Sequence, residues 1–228
     1  LIQWDYVGVL AQSDGTQGTI WECPDLFPLS DRHVLLVSPM GVENRRVMYF
    51  VGDMDYEAGK FSPQHVGTLD YGPDFYAAQT FSGTKRRLML AWMDAWECHI
   101  PSKKDNWAGA LTLPRELLLD ESGKLKTQPL PELKGLRRRG VPAPTSVLGE
   151  KDQSLPLTDP QAACLEMNLV VSLTSTTASH FTLCFSYAES SEQIVIGYNK
   201  VTGELYLDTS EVHAGQPGLY NAPIYPQV

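Results

Sequence analysis

Short runs of β-branched, aromatic and aliphatic residues recur along this chain between clusters of turn formers: His33 to Ser38, Arg46 to Gly52, Phe75 to Phe81, Arg87 to Trp92 and Glu116 to Asp120. None carries the helical periodicity that an amphipathic helix sustains over several turns, so the pattern predicts an all-β chain. Glu121-Ser122-Gly123-Lys124 and Val201-Thr202-Gly203-Glu204 read as hairpin turns in which glycine supplies a positive φ. Short strands joined this tightly build small antiparallel sheets, which up to Leu130 suit the blades of a β-propeller.

From Lys134 to Glu150 the composition turns to Gly, Pro and Arg, and Pro142-Ala143-Pro144 lacks two backbone donors and favours extended chain. The expected organisation is therefore a propeller domain over 1–133, a linker over 134–150 and a second domain over 151–228. In that second domain Leu165 to Leu173, His180 to Tyr187, Gln193 to Tyr198 and Glu204 to Asp208 read as successive strands of a β-sandwich. Gly215 to Val228, rich in Gly, Pro and Tyr, offers no strand to close a sheet, so the sandwich is expected to be partial.

At 228 residues, 43% hydrophobic and 10% aromatic, the chain can bury a core. Its formal charge of -9 argues against a nucleic-acid surface, which needs clustered Lys and Arg, and suits a neutral small ligand. Arg137-Arg138-Arg139, set among Gly and Pro, reads as a solvated connector. Cys23, Cys98, Cys164 and Cys184 show no zinc-ligand spacing, and a Cys164–Cys184 disulfide is left open. The cysteine usage favours a reducing, cytoplasmic compartment, with secretion left open because Leu1-Ile2-Gln3-Trp4 reads as the middle of a strand-rich domain. No apolar stretch approaches the roughly 20 residues of a membrane-spanning helix.

The densest chemistry lies in Trp21-Glu22-Cys23-Pro24-Asp25-Leu26-Phe27. A carboxylate between an indole and a thiol is poorly solvated as an anion and holds its proton toward neutrality, which suits a general acid. Glu22 is therefore the catalytic candidate, with Trp21 and Cys23 as the neighbours that tune it. Asp70, Tyr76 and Trp92 are candidates for ligand binding. Tyr76 can also bond a carboxylate such as Glu22, and Trp92 offers a flat apolar face. Asp25 and Asp74 read as structural, and the five histidines stand without partners at ligand spacing.

Three further segments accompany the first: Asp70-Tyr71-Gly72-Pro73-Asp74-Phe75-Tyr76-Ala77-Ala78-Gln79-Thr80-Phe81, Arg86-Arg87-Leu88-Met89-Leu90-Ala91-Trp92-Met93, and Gly109-Ala110-Leu111-Thr112-Leu113-Pro114-Arg115-Glu116-Leu117. In this order and spacing they resemble glycoside hydrolase family 32, the invertases, sucrose-6-phosphate hydrolases and fructanases, from Trp4 to about Leu130. The resemblance implies part of a five-bladed propeller, its last three blades, followed by a partial β-sandwich. It implies hydrolysis of a β-fructofuranosidic bond in sucrose, sucrose 6-phosphate or a fructo-oligosaccharide, with no metal or organic cofactor. Glu22 matches the family's acid/base glutamate, and Asp70 matches an aspartate that contacts the sugar near the leaving group. Many plant relatives carry a lysine three residues after that aspartate, where Pro73 stands here.

Retaining glycosidases place two carboxyl groups about 5 to 5.5 Å apart, one attacking the anomeric carbon and one serving as acid and then base. The family's N-D-P-N and R-D-P segments, which carry the nucleophile and a stabilising aspartate, are absent from this sequence. Thr158-Asp159-Pro160 reads as a turn in the second domain. The chain is thus expected to be an internal piece of an enzyme, inactive alone. A non-catalytic carbohydrate-binding module is the rival reading, and a related propeller glycosidase acting on arabinose or xylose is a third.

Overall fold

The computed structural model describes residues 2–42, 47–93, 100–138, 140, 147, 149, 164–174, 176–186, 191–212 and 218–224. Thr158-Asp159-Pro160, Cys98 and much of the expected linker lie outside them. Among the described residues the regular structure is strand, interrupted by two 3₁₀ turns at Pro101–Asp105 and Pro131–Leu136.

β1 (Ile20–Leu29), β2 (Arg32–Met40), β3 (Met48–Asp55) and β4 (Lys60–Thr68) form an antiparallel sheet in the order β1-β2-β3-β4. The middle strands read as nearly unbroken apolar runs because both of their faces are covered. Val34, Leu36, Tyr49 and Val51 point into one cluster, while Leu35, Val37, Met48 and Phe50 join Phe61 in another on the opposite face. The second sheet runs β5 (Tyr76–Thr80), β6 (Arg87–Met93), β8 (Arg115–Leu119), β9 (Leu125–Pro129), with the short β7 (Ala110–Leu111) also pairing β6. Its Phe75, Ala78, Met89, Ala91, Leu117 and Leu125 complete the first cluster, so the two sheets pack face to face through one shared core.

Among the described residues two such sheets lie within 1–130, from Ile20 to Pro129, where three blades are expected. The Trp21–Phe27 segment is itself the first strand of its sheet, and Lys60–Thr68, obscured by Pro63 and Gly67, is the fourth. Pro63 is tolerated because β4 is an edge strand and Pro63 adjoins a register shift opposite Val51 and Gly52.

β10 (His180–Ser186), β11 (Gln193–Asn199), β12 (Glu204–Asp208) and β13 (Leu219–Pro223) form a third antiparallel sheet in sequence order. β13 corrects the expectation that no strand follows Gly215: its main chain pairs with β12 from Glu204 to Asp208 despite a turn-rich composition. Conversely, Leu165 to Leu173 is not a strand, and Leu165, Met167, Leu169, Val170 and Val171 are exposed. β-propensity makes a strand only where a partner edge and a covered face exist. Among the described residues the third sheet buries none of its large apolar side chains, and the second layer of a sandwich is not present. The chain divides into two compact units, residues 1–130 with 178–228, and residues 131–177. In the latter, Arg137 and Glu166 form a forked ion pair. Cys23, Cys164 and Cys184 are free thiols.

Candidate active site

Both first strands are interrupted at the same relative place. In β1, Glu22 pairs with Ser38 and Asp25 with Leu36, so Cys23 and Pro24 together oppose the single residue Val37. In β5, Tyr76 pairs with Trp92 and Gln79 with Leu90, leaving Ala77 and Ala78 opposite Ala91. Each is a β-bulge with a residue in the left-handed region, Cys23 at φ 49° and Ala77 at φ 51°. Pro24 fits such a place because a bulged position has no ladder partner to miss its N–H.

The bulged strands meet, and hydrogen bonds join β5 to β1 and to Ser38 of β2. The Ala77 N–H donates to Ser38 Oγ at 3.0 Å, Gln79 Nε2 donates to the Cys23 carbonyl at 3.0 Å, and the Thr80 N–H donates to Asp25 Oδ2 at 2.7 Å. At the end of this seam the Tyr76 hydroxyl donates to Glu22 Oε2. Tyr76 is buried and Glu22 half-buried, with Met40 Sδ 3.4 Å from the phenol. A carboxyl group held by one phenol, with its other oxygen available, can give and take a proton.

Of the tuning candidates, Trp21 lies on the opposite face of β1 from Glu22. Its ring stacks 5.0 Å from Phe50, and its indole N–H donates to the Gln17 carbonyl at 2.7 Å. Cys23 is exposed, and its contribution to the seam is its backbone carbonyl. Asp70 is held from two sides: Oδ1 accepts from the Gly72 N–H at 2.8 Å and Oδ2 ion-pairs with Arg115 at 2.7 Å. Trp92 is half-buried and borders a shallow, largely apolar groove with Phe81, Leu90 and Leu111. The structure thus brings Glu22 and Tyr76 into contact and pairs Tyr76 with Trp92 across strands, while Asp70 is held by Arg115.

Gly109 shows how closely the indole is held. It has φ +75°, and a Cβ there would sit 2.5 Å from Trp92 Nε1, so a side chain is excluded both by backbone and by contact.

Sequence reasoning missed two residues. Arg115 joins Asp70 to Phe75, over whose ring its guanidinium lies at 4.6 Å. Its signal is a cation inside the apolar Leu113-to-Leu119 run. Ser38, 1% exposed, is a lone hydroxyl closing the apolar run from Val34 to Val37.

The sequence profile described as "Glycosyl hydrolases family 32 N-terminal domain" matches residues 1–129. Similar curated proteins include the sucrose-6-phosphate hydrolase of Escherichia coli, 35% identical over 193 residues, covering 80% of this chain and 39% of that protein. The sucrose-6-phosphate hydrolase of Zymomonas mobilis is 30% identical over 220 residues, covering 92% of this chain and 42% of that protein. The chain thus spans less than half the length of these relatives. Among solved structures, the Bombyx mori GH32 β-fructofuranosidase superposes with a TM-score of 0.74 at 24% identity, covering 98% of this chain and 46% of that one. The sucrose-6-phosphate hydrolase of Lactobacillus gasseri superposes with a TM-score of 0.69 at 21% identity, covering 98% and 47%. The fold is accordingly part of a five-bladed propeller, with the two face-packed sheets as neighbouring blades.

Proposed function

The chain belongs to glycosyl hydrolase family 32, and from that premise we propose that Glu22 is the acid/base of a retaining β-fructofuranosidase. The observation that carries the reading is the Tyr76–Glu22 hydrogen bond where two neighbouring blades meet. In the first step the protonated Glu22 delivers its proton to the glycosidic oxygen as the C–O bond to the fructosyl carbon breaks, so the leaving alcohol departs neutral. In the second, the Glu22 carboxylate takes a proton from water as water attacks the covalent fructosyl-enzyme ester.

The attacking carboxylate is supplied by a part of the protein outside these residues, since no N-D-P-N segment occurs here. This chain alone then releases no fructose from sucrose or inulin, because removing one member of a cooperating set can abolish as much rate as removing all of it. The substrate class is a neutral or phosphorylated fructoside: the similar curated proteins include sucrose-6-phosphate hydrolases and a raffinose invertase, and one solved relative is held in complex with sucrose. Trp92, bordering the groove beside Tyr76, is the proposed sugar-stacking face. No nucleic acid, membrane or cofactor enters this scheme.

The decisive experiment is Glu22→Gln in the full-length protein that carries this chain. Sucrose hydrolysis is expected to fall by about 10²–10⁴-fold, the contribution of a positioned acid/base. Activity close to that of the parent would remove Glu22 from the mechanism.

A further inference from the structure

Ser38 stands where the packing calls for an apolar residue. Val34 and Leu36, on the same face of β2, are fully buried in the core between the two blades, and Ser38 follows them at 1% exposure. A hydroxyl in such a place costs stability unless it makes a hydrogen bond. The bond it makes is to a group that also needs one: Ala77 lies in the bulge of β5, and its N–H is taken up by Ser38 Oγ at 3.0 Å. On the other side Ser38 is the direct cross-strand partner of Glu22.

We propose that Ser38 is a positioning residue for the acid/base, a role that rests on the assignment of Glu22 above. It ties the bulge of one blade to the strand partner of Glu22 in the other, and so sets where the Tyr76 phenol meets the Glu22 carboxylate. Ala77 immediately follows Tyr76, and its left-handed backbone fixes the direction in which that ring leaves the strand. Without the Ser38 acceptor the part-buried Ala77 N–H would lose its partner, and β5 would gain by relaxing the bulge. Tyr76 would then be released from Glu22 while the apolar contacts between blades persisted.

The test uses the full-length protein and kcat/KM, which reports on cleavage of the glycosidic bond, for two substrates. Sucrose has a poor leaving group that needs protonation, and p-nitrophenyl β-fructofuranoside has a good one that does not. Ser38→Ala is expected to lose about tenfold on sucrose and no more than about twofold on the aryl fructoside, with Ser38→Thr restoring most of the sucrose rate. Should Ser38→Ala fail to fold, Ser38→Cys, close in size but a weak acceptor, carries the same comparison. Equal losses on both substrates, or parental rates on both, would overturn the role of Ser38. Glu22→Gln is run alongside. If it too loses equally on both substrates, the acid assignment falls and the role of Ser38 falls with it; if Glu22→Gln discriminates between substrates and Ser38→Ala does not, only the latter is lost.

Discussion

Arg115 reaches from the third strand of its sheet to the turn before the first, placing Nη1 2.7 Å from Asp70 Oδ2 while its guanidinium covers the Phe75 ring at 4.6 Å. Both charged side chains are largely shielded, 25% and 19% exposed, so truncating one leaves the other poorly compensated. Arg115→Ala is expected to lower unfolding stability by about 1–3 kcal/mol, measured by urea denaturation. Arg115→Lys should recover only part of this, because an ammonium cannot both pair with the carboxylate and lie flat on the ring. Full recovery by lysine would show that charge alone matters there.

Tyr76→Phe removes one hydroxyl and leaves the buried ring in place. Loss of this hydrogen bond is worth about 0.5–1.5 kcal/mol, so kcat/KM on sucrose in the full-length protein should fall by up to about tenfold. A Tyr76→Phe enzyme indistinguishable from the parent would mean that the phenol does not act on Glu22.

Gly109→Ala places a methyl against the Trp92 indole in a backbone region that alanine avoids. The expected cost is about 1–3 kcal/mol, seen as a lowered thermal midpoint together with changed tryptophan fluorescence. An unchanged melt with unchanged fluorescence would contradict the close approach.

At the β8–β9 hairpin the Asp120 carboxyl is held below its ordinary value, chiefly by the Ser122 hydroxyl and then by the Lys124 N–H. A group whose folded value is depressed stabilises the fold above its ordinary value of 3.8 and loses that contribution as the pH falls through the lower one. Protection of the Ser122 and Lys124 amides against exchange, taken relative to their intrinsic rates, should therefore fall in acid, and Asp120→Asn should flatten this dependence. A hairpin equally protected throughout the acid range would argue against it.

The all-β class, the strands with strong alternating or continuous apolar runs and both glycine hairpins were legible because each depends on local pattern. Glu22 and Tyr76 were legible through their motifs, and so was the idea that they meet. Arg115 and Ser38 were not, because each is defined by a partner more than 35 positions away in the chain. β13 and the missing strand at Leu165 to Leu173 failed for a related reason: whether a segment becomes a strand depends on the edge available to it, which no window of residues contains.

The paired bulges give this site a reading frame. Side chains in an unbroken strand alternate between faces, but the extra residue between Glu22 and Asp25 resets the count, so both pair with residues on the same face of β2. Deleting either Cys23 or Pro24 would leave Glu22 opposite Ser38 and Asp25 opposite Leu36 but remove the bulge between them, straightening β1 beside the carboxylate without changing the chemistry of any remaining residue. Around Cys23 and Ala77, then, the number of residues is constrained independently of their identity: many side chains could be exchanged there, but the loss of one residue would straighten its strand and disturb the seam that brings the Tyr76 phenol to the Glu22 carboxylate.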